Sequence, residues 1–238
     1  MNPLPHVLLA DRAWHILDMP LNSRAHMMVG AIAPDSWRLM EDTGFRKLHF
    51  RSKTRQGQRL GDFISLYLQP AFTQPNDQLQ GYWAGYLSHI VADTVWRRML
   101  KAEYPEMWDE ISSCEGDERL EALAQYQANC IRADRQLTAR FEREIVELRW
   151  LLKSTSPVYD VAPLDLTVLC QWIQLVSTSQ LPADEPQISG QVSIDADFIE
   201  RAIEVTIDEF TSIYRHQKIL VKQEKQDWSP FEDSVIPY

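Results

Sequence analysis

The stretch from Gln80 to Lys101, QGYWAGYLSHIVADTVWRRMLK, carries the strongest helical signal in the chain. Tyr82, Tyr86, His89, Asp93 and Trp96 recur at three- and four-residue steps, so a helix puts them on one face. The apolar residues between them (Leu87, Ile90, Val91, Val95) predict that this helix is buried. A four-residue step holds His89 and Asp93 with Cβ atoms roughly 5–6 Å apart, close enough to grip one metal ion. A buried carboxylate without a partner costs several kcal/mol, so Asp93 needs either a metal or a salt bridge. The spacing alone does not choose between them.

Helical texture continues on both sides. Val7–Met19 carries Leu8, Leu9, Ala13, Ile16 and Leu17 at helical spacing, and Pro20 ends it. Met27–Ile32 is short and apolar, followed by the turn signature Ala33-Pro34-Asp35-Ser36, which predicts a cap for a short helix. Residues 41–60 read as an extended charged loop, and Leu60–Leu68 as a short helix that Pro70 stops. Asp117–Leu152 reads as one long amphipathic helix with the stripe Leu120, Leu123, Cys130, Ile131, Leu137, Phe141, Ile145 and Leu148. Leu164–Ser179 predicts another helix and Leu181–Ser193 a surface loop. Asp195 is expected to cap a last helix over Ala196–Lys222, before an irregular tail from Asp227 to Tyr238.

Only 8 glycines in 238 residues, with few Val/Ile/Thr runs, favour helix over sheet. There is no internal repeat and no clean linker. The expectation is an all-α, multi-helix fold with one domain over residues 1–238.

The formal net charge of −10 argues against general nucleic-acid binding, which needs a basic face. Three cysteines, Cys114, Cys130 and Cys170, form no close pair and fit a reducing compartment better than a disulfide framework. The start Met1-Asn2-Pro3 lacks the basic-then-apolar pattern of a secretion signal, and no run of about 18 apolar residues predicts a membrane span. These features together lead to the expectation of a cytoplasmic protein.

Several polar residues sit in apolar settings. Asp35 closes the run Val29-Gly30-Ala31-Ile32-Ala33-Pro34. His49 lies between Leu48 and Phe50, and His6 precedes the first apolar helix. Asp134 interrupts the stripe of the long helix between Ile131 and Leu137. Each alone has an ordinary reading as a cap, a packed imidazole or an ion pair. Converging, they offer the nitrogen and carboxylate donors that suit zinc or a similar transition metal. Arg46–Arg59 adds six basic residues and no acidic one, either a solvated loop or an electropositive rim near His49. Arg97 and Arg98 follow the His89–Asp93 pair and read either as phosphate contacts or, in the ordinary case, as surface arginines; His15 and His26 read as ordinary histidines, Asp62 as a cap. Trp14, Trp83, Trp96, Trp150 and Trp172 read as core anchors.

The order His6-x4-Asp11, Gly30-Ala31-Ile32-Ala33-Pro34-Asp35, His49-Phe50 and Gly85-Tyr86-Leu87-Ser88-His89-x3-Asp93 resembles the zinc-dependent phospholipase C family, itself related to the zinc-dependent single-strand nucleases. The resemblance covers about the first hundred residues. It implies an all-helical fold and a site holding one or two zinc ions or another divalent transition metal. By position it implies that Asp35, His49, His89 and Asp93 complete one metal site, with His6 on a neighbouring ion that Asp93 bridges. Family members carry a further histidine after the helix aspartate and then a His-x3-Glu pair. This chain has Val95-Trp96-Arg97-Arg98-Met99 there, and its only later histidine is His216. From its place on an apolar face, Asp134 is a candidate replacement ligand.

The expected function is hydrolysis of a phosphoester, a diester for preference, by metal-activated water, with Asp35 as general base and Arg51 and Arg55 binding a small phosphoester substrate. The missing later ligands keep a second reading open, a non-catalytic binding or scaffold protein stabilised by metal. A phosphohydrolase of the histidine–aspartate doublet type is nearly removed as a third reading, because no His-Asp dipeptide occurs.

Overall fold

The computed structural model describes residues 3–40, 48–50, 60–113, 115–157, 164–178 and 194–223. Every regular element among them is helical, so the all-α expectation holds. The chain runs through α1 (Pro3–Leu17), a 3-10 turn (Leu21–Ser23), α2 (Arg24–Ile32) and a 3-10 helix (Ala33–Leu39). After α3 (Leu60–Phe63), a π-helical turn (Ile64–Leu68) and α4 (Gln69–Phe72) comes the long α5 (Asp77–Glu103). Then follow α6 (Pro105–Ser113), α7 (Gly116–Arg140), α8 (Glu142–Lys153), α9 (Leu166–Thr178) and α10 (Ala196–Gln223).

Helix α5 is the axis of the molecule. Almost every residue from Gly81 to Trp96 is buried, on all faces of the helix, and α1, α2, α6 and α10 pack around it. Leu8, Met28, Tyr86, Leu137, Leu148, Trp172 and Phe198 belong to one hydrophobic cluster that draws on α1, α2, α5 and α7 to α10.

The α2–α5 crossing is unusually close because two glycines remove the side chains that would hold it open. A Cβ on Gly30 would lie 1.9 Å from the Tyr82 carbonyl oxygen, and one on Gly85 would lie 1.8 Å from the Met27 carbonyl oxygen. The two backbones touch, so α5 is locked against the end of α2.

Four sequence expectations are corrected. The long helix Asp117–Leu152 is two helices, because Phe141 leaves helical geometry with φ −115° and ψ 33°. The break lets α8 fold back onto α1, α2 and α9, with the Arg12 guanidinium over the Phe141 ring. Leu120, near the start of α7, and Trp150, on α8, are exposed, at 66% and 67%, rather than core residues. Pro70 does not stop a helix. It sits in the first turn of α4, where a missing N–H costs nothing, after the π-helical turn has reset the hydrogen bonding. Helix α6 was not anticipated, although Pro105 followed by Glu106 is a helix-start signal. The short run at Met27–Ile32 is part of a true helix. The cap at Asp195 is as expected, its carboxylate accepting from the Phe198 N–H at 2.8 Å.

The expected loop Leu181–Ser193 and the tail after Asp227 lie outside the described residues, as does Cys114. Cys130 is buried, which pushes its thiol up to about 11, while Cys170 is exposed. No helix among the described residues is long and apolar enough to cross a membrane.

Candidate metal centre

Five of the residues singled out in the sequence meet beside the middle of α5. His6 comes from α1, Asp35 from the 3-10 helix after α2, His49 from the Leu48–Phe50 turn, and His89 and Asp93 from α5. The ligand atoms of His6, His89 and Asp93 lie within 4.8 Å of one another, and so do those of Asp35, His49 and His89. His49 Nε2 is 3.2 Å from His89 Nε2, 3.7 Å from Asp93 Oδ2 and 3.9 Å from Asp35 Oδ1. The His6 ring stacks on His89 with centroids 4.0 Å apart.

The orientation of His89 follows from local backbone chemistry. Its Nδ1 is 2.8 Å from the Ala31 carbonyl oxygen. A carbonyl only accepts, so Nδ1 carries the proton and Nε2 turns its lone pair into the cluster. Ala31 is free to accept because it stands in the last turn of α2, and the residue that would pair with it in the following 3-10 segment is Pro34, which has no N–H. The Gly30-Ala31-Ile32-Ala33-Pro34-Asp35 segment thus acts twice: Gly30 brings α2 against α5, and Pro34 leaves a carbonyl for the α5 imidazole.

His49 is held from both sides. The Tyr86 hydroxyl donates to the Leu48 carbonyl. Phe50 has φ of +50°, a strained value for a bulky residue, and packs edge-on against Phe63, Tyr67 and Tyr86. Burial holds the Tyr86 hydroxyl in its protonated, donating form. Tyr86→Phe keeps the ring and deletes the donor. Its expected result is a 10- to 100-fold weaker zinc affinity with little change in helical content, as is typical of losing an outer-shell partner. Calorimetric zinc titration beside circular dichroism checks this.

The donor set fits a metal ion. His6 is fully buried, yet among the described residues neither ring nitrogen has a hydrogen-bond partner, and Asp35 Oδ2 is likewise buried and without one. Leaving such groups unsatisfied costs about 1–3 kcal/mol each. Two nitrogens bound to zinc at 2.0–2.1 Å with tetrahedral angles would be about 3.3–3.4 Å apart. The 3.2 Å between His49 and His89 matches that separation. Neutral imidazole is the ligating form, and burial, reinforced by neighbouring His89, holds the His6 pKa well below its usual value.

That depression sets a pH dependence. Below about pH 6.5 the unfolded chain protonates His6 while the folded chain does not, so stability falls with pH by up to about 1.4 kcal/mol per unit for this group. In excess chelator, urea midpoints are expected to drop between pH 7 and pH 5, and less steeply for His6→Phe. Equal slopes would remove His6 as the cause.

Asp134 lies buried on α7 and belongs to neither donor group. Arg51 and Arg55 lie outside the described residues. Sequence reasoning missed Arg38, whose Nε is 3.9 Å from Asp35 Oδ1; Arg97, read as a surface residue first and a phosphate contact second, has its Nη2 3.5 Å from Asp93 Oδ2. The signal was available: three residues after an aspartate in a 3-10 segment, and four after one in an α-helix, are same-face positions. Arg98 pairs with Glu209 on α10, as a surface residue would.

The family model described as zinc dependent phospholipase C matches residues 5–108, a segment that contains His6, Asp35, His49, His89 and Asp93. The matched segment is somewhat less than half of the chain. No curated protein and no solved structure matches the chain.

Proposed function

We propose that this chain is a metal-dependent phosphoester hydrolase, acting on a phosphodiester for preference, with zinc or a similar ion held by Asp35, His49, His89 and Asp93. The single observation that carries the reading is the convergence of three buried imidazoles and two aspartates from four separate segments. The match to a zinc-dependent phospholipase C model is consistent with it. When bound there, a divalent cation lowers the pKa of coordinated water towards about 7 and offsets charge developing on the phosphoryl oxygens.

The protein's own part is positioning and proton transfer. Asp35 Oδ1 faces His49, whereas Oδ2 has no hydrogen-bond partner among the described residues and is the oxygen that would take the proton of the attacking water. His89 serves one ion only, since its Nδ1 is committed to Ala31 and a single lone pair remains. A second ion would therefore rest on His6 and Asp93 without His89. Asp134 stands apart from this arrangement as a candidate outer ligand. We keep a reducing, cytoplasmic setting and one domain over 1–238 as part of the same reading.

The test is zinc-loaded protein against a chromogenic phosphodiester, with Asp35→Asn beside it. Asp35→Asn keeps size and most contacts but cannot take a proton, and is expected to lower kcat by 100-fold or more, within the usual range of about 10²–10⁴ for general acid–base catalysis. The alternative, a non-catalytic metal-stabilised protein, draws support from the only later histidine, His216, being exposed on α10 and remote in sequence from the ligand helix. Stoichiometric zinc with no turnover on mono- or diesters would favour that alternative.

A further inference from the structure

We infer that the adjoining outer faces of α8 and α9 form a docking surface for an anionic lipid bilayer. The inference rests on residues other than the metal donors and is independent of the metal-dependent reading.

Helix α8 sorts its charges by side. Glu144 pairs with Arg12 of α1 at 4.0 Å, and Glu147 with Arg24 of α2 at 3.0 Å, so the helices beneath α8 take up both carboxylates. The bases of α8 are left over. None of Arg143, Arg149 and Lys153 has an ion-pair partner among the described residues, and the buried Arg149 Nε has no hydrogen-bond partner among them. Glu142 stands in the first turn of the helix, about two turns from Trp150.

The apolar residues of α8 are sorted as well. Ile145, Leu148 and Leu152 are buried on its inner side. At about 100° per residue, Lys153, Val146, Trp150 and Arg143 share about 80° of arc on the opposite side. Val146 and Trp150 are 60% and 67% exposed there. Helix α9 packs against α8 and continues the face. In a chain that is 24% charged, none of its 13 residues from Leu166 to Thr178 is Asp, Glu, Lys or Arg. A surface helix ordinarily turns charge to solvent, whereas α9 turns out Leu166 and Leu175, 41% and 47% exposed.

Exposed tryptophan among arginine and lysine suits the boundary of a bilayer. The indole has an apolar body and a polar N–H, and fits between headgroups and acyl chains. Arginine and lysine lay their apolar stems along that boundary and keep their charge at the phosphates. Charge complementarity selects the occupant. A two-fold contact with a second copy would bring the basic side chains of one face up to those of the other. A protein partner needs acids fixed at matching positions, whereas an anionic leaflet offers negative charge everywhere. The net charge of −10 opposes the approach, so attachment requires the tryptophan anchor together with the bases.

The test is flotation of the full chain with vesicles of equal parts phosphatidylserine and phosphatidylcholine, beside vesicles of phosphatidylcholine alone. Wild type is expected to float with the first and not the second, and less as salt rises. Arg143→Gln and Lys153→Gln are each expected to weaken binding about fivefold, the effect of one base near an anionic surface. Trp150→Ser is expected to weaken it at least tenfold. Lys101→Gln on α5 and Leu120→Ser on α7, both exposed, are expected to behave as wild type. Circular dichroism checks that each variant keeps its helical content. Failure of the wild type to float with phosphatidylserine, or equal flotation with both vesicles, would overturn the inference. So would wild-type binding in both Trp150→Ser and the Arg143→Gln/Lys153→Gln double variant. A dimer in sedimentation velocity that Trp150→Ser dissociates, without vesicle binding, would give this face to a second copy instead.

Discussion

His89→Asn is expected to strip the protein of its tightly held metal and to abolish phosphoester turnover. The side chain is fully buried and its Nε2 sits 3.2 Å from His49 Nε2, in the middle of both candidate donor groups. No other residue can replace that nitrogen, because its position is set by α5 and its tautomer by the Ala31 carbonyl. Losing a direct ligand should exceed the 10- to 100-fold loss in affinity typical of an outer-shell partner. Asparagine is chosen over alanine so that a cavity does not add its own cost of about 2–5 kcal/mol. Metal content by mass spectrometry is the first readout, and the denaturation midpoint with and without zinc the second. Wild-type metal content in this variant would end the assignment of His89 as a ligand, whatever the activity.

The second large effect is structural. Gly85→Ala is expected to destabilise the fold by at least the upper end of the 1–3 kcal/mol usual for overpacking, because the new methyl group would meet a backbone carbonyl at 1.8 Å. A flexible side chain could rotate away from such a clash. A carbonyl in a helix cannot move without moving the helix. Displacing α2 also displaces the Ala31 carbonyl and Asp35, so zinc affinity should fall together with stability. Gly30→Ala should behave alike, with its methyl group 1.9 Å from the Tyr82 carbonyl. Gly61→Ala is the control: among the described residues nothing lies within 4 Å of a Cβ there, and alanine is the better helix former by about 1 kcal/mol. Urea unfolding of the three variants reads the contrast directly. Equal stabilities at positions 61 and 85 would remove the close crossing as the reason for glycine.

The two effects share one cause. The candidate donors are held close together because α2 and α5 approach backbone to backbone, and that approach supplies the Ala31 carbonyl that accepts from His89. Stability and chemistry are therefore coupled at Gly30 and Gly85. Tyr86 couples them again from the other side, through its hydrogen bond to the Leu48 carbonyl beside His49.

How much of this was legible beforehand differs from element to element. The helix carrying His89 and Asp93 was readable to within a few residues, because its periodicity is local and its burial shows in composition. The single helix over Asp117–Leu152 was misread: the apolar stripe continues through Phe141 while the backbone does not, and only the packing of α8 onto α1, α2 and α9 makes the break favourable. Trp150 looked like a core anchor because tryptophan is usually buried, yet it falls on the outer face of α8. Arg97 was read first as a surface arginine because exposure is the ordinary state of arginine, whereas packing leaves its Nη2 3.5 Å from Asp93 Oδ2.

The amino-acid sequence by itself determined the helical class, the five donors and the order in which they occur, since these depend on residue type and on spacing within one or two turns. The tertiary structure decided that those donors converge, that His89 points its Nε2 inward, and that two arginines stand beside the carboxylates. The physical reason is distance along the chain. His49 and His89 are 40 residues apart, and His89 is 58 residues from the carbonyl that orients it. No local preference reaches that far, so the site exists only once two helices pack without side chains between them.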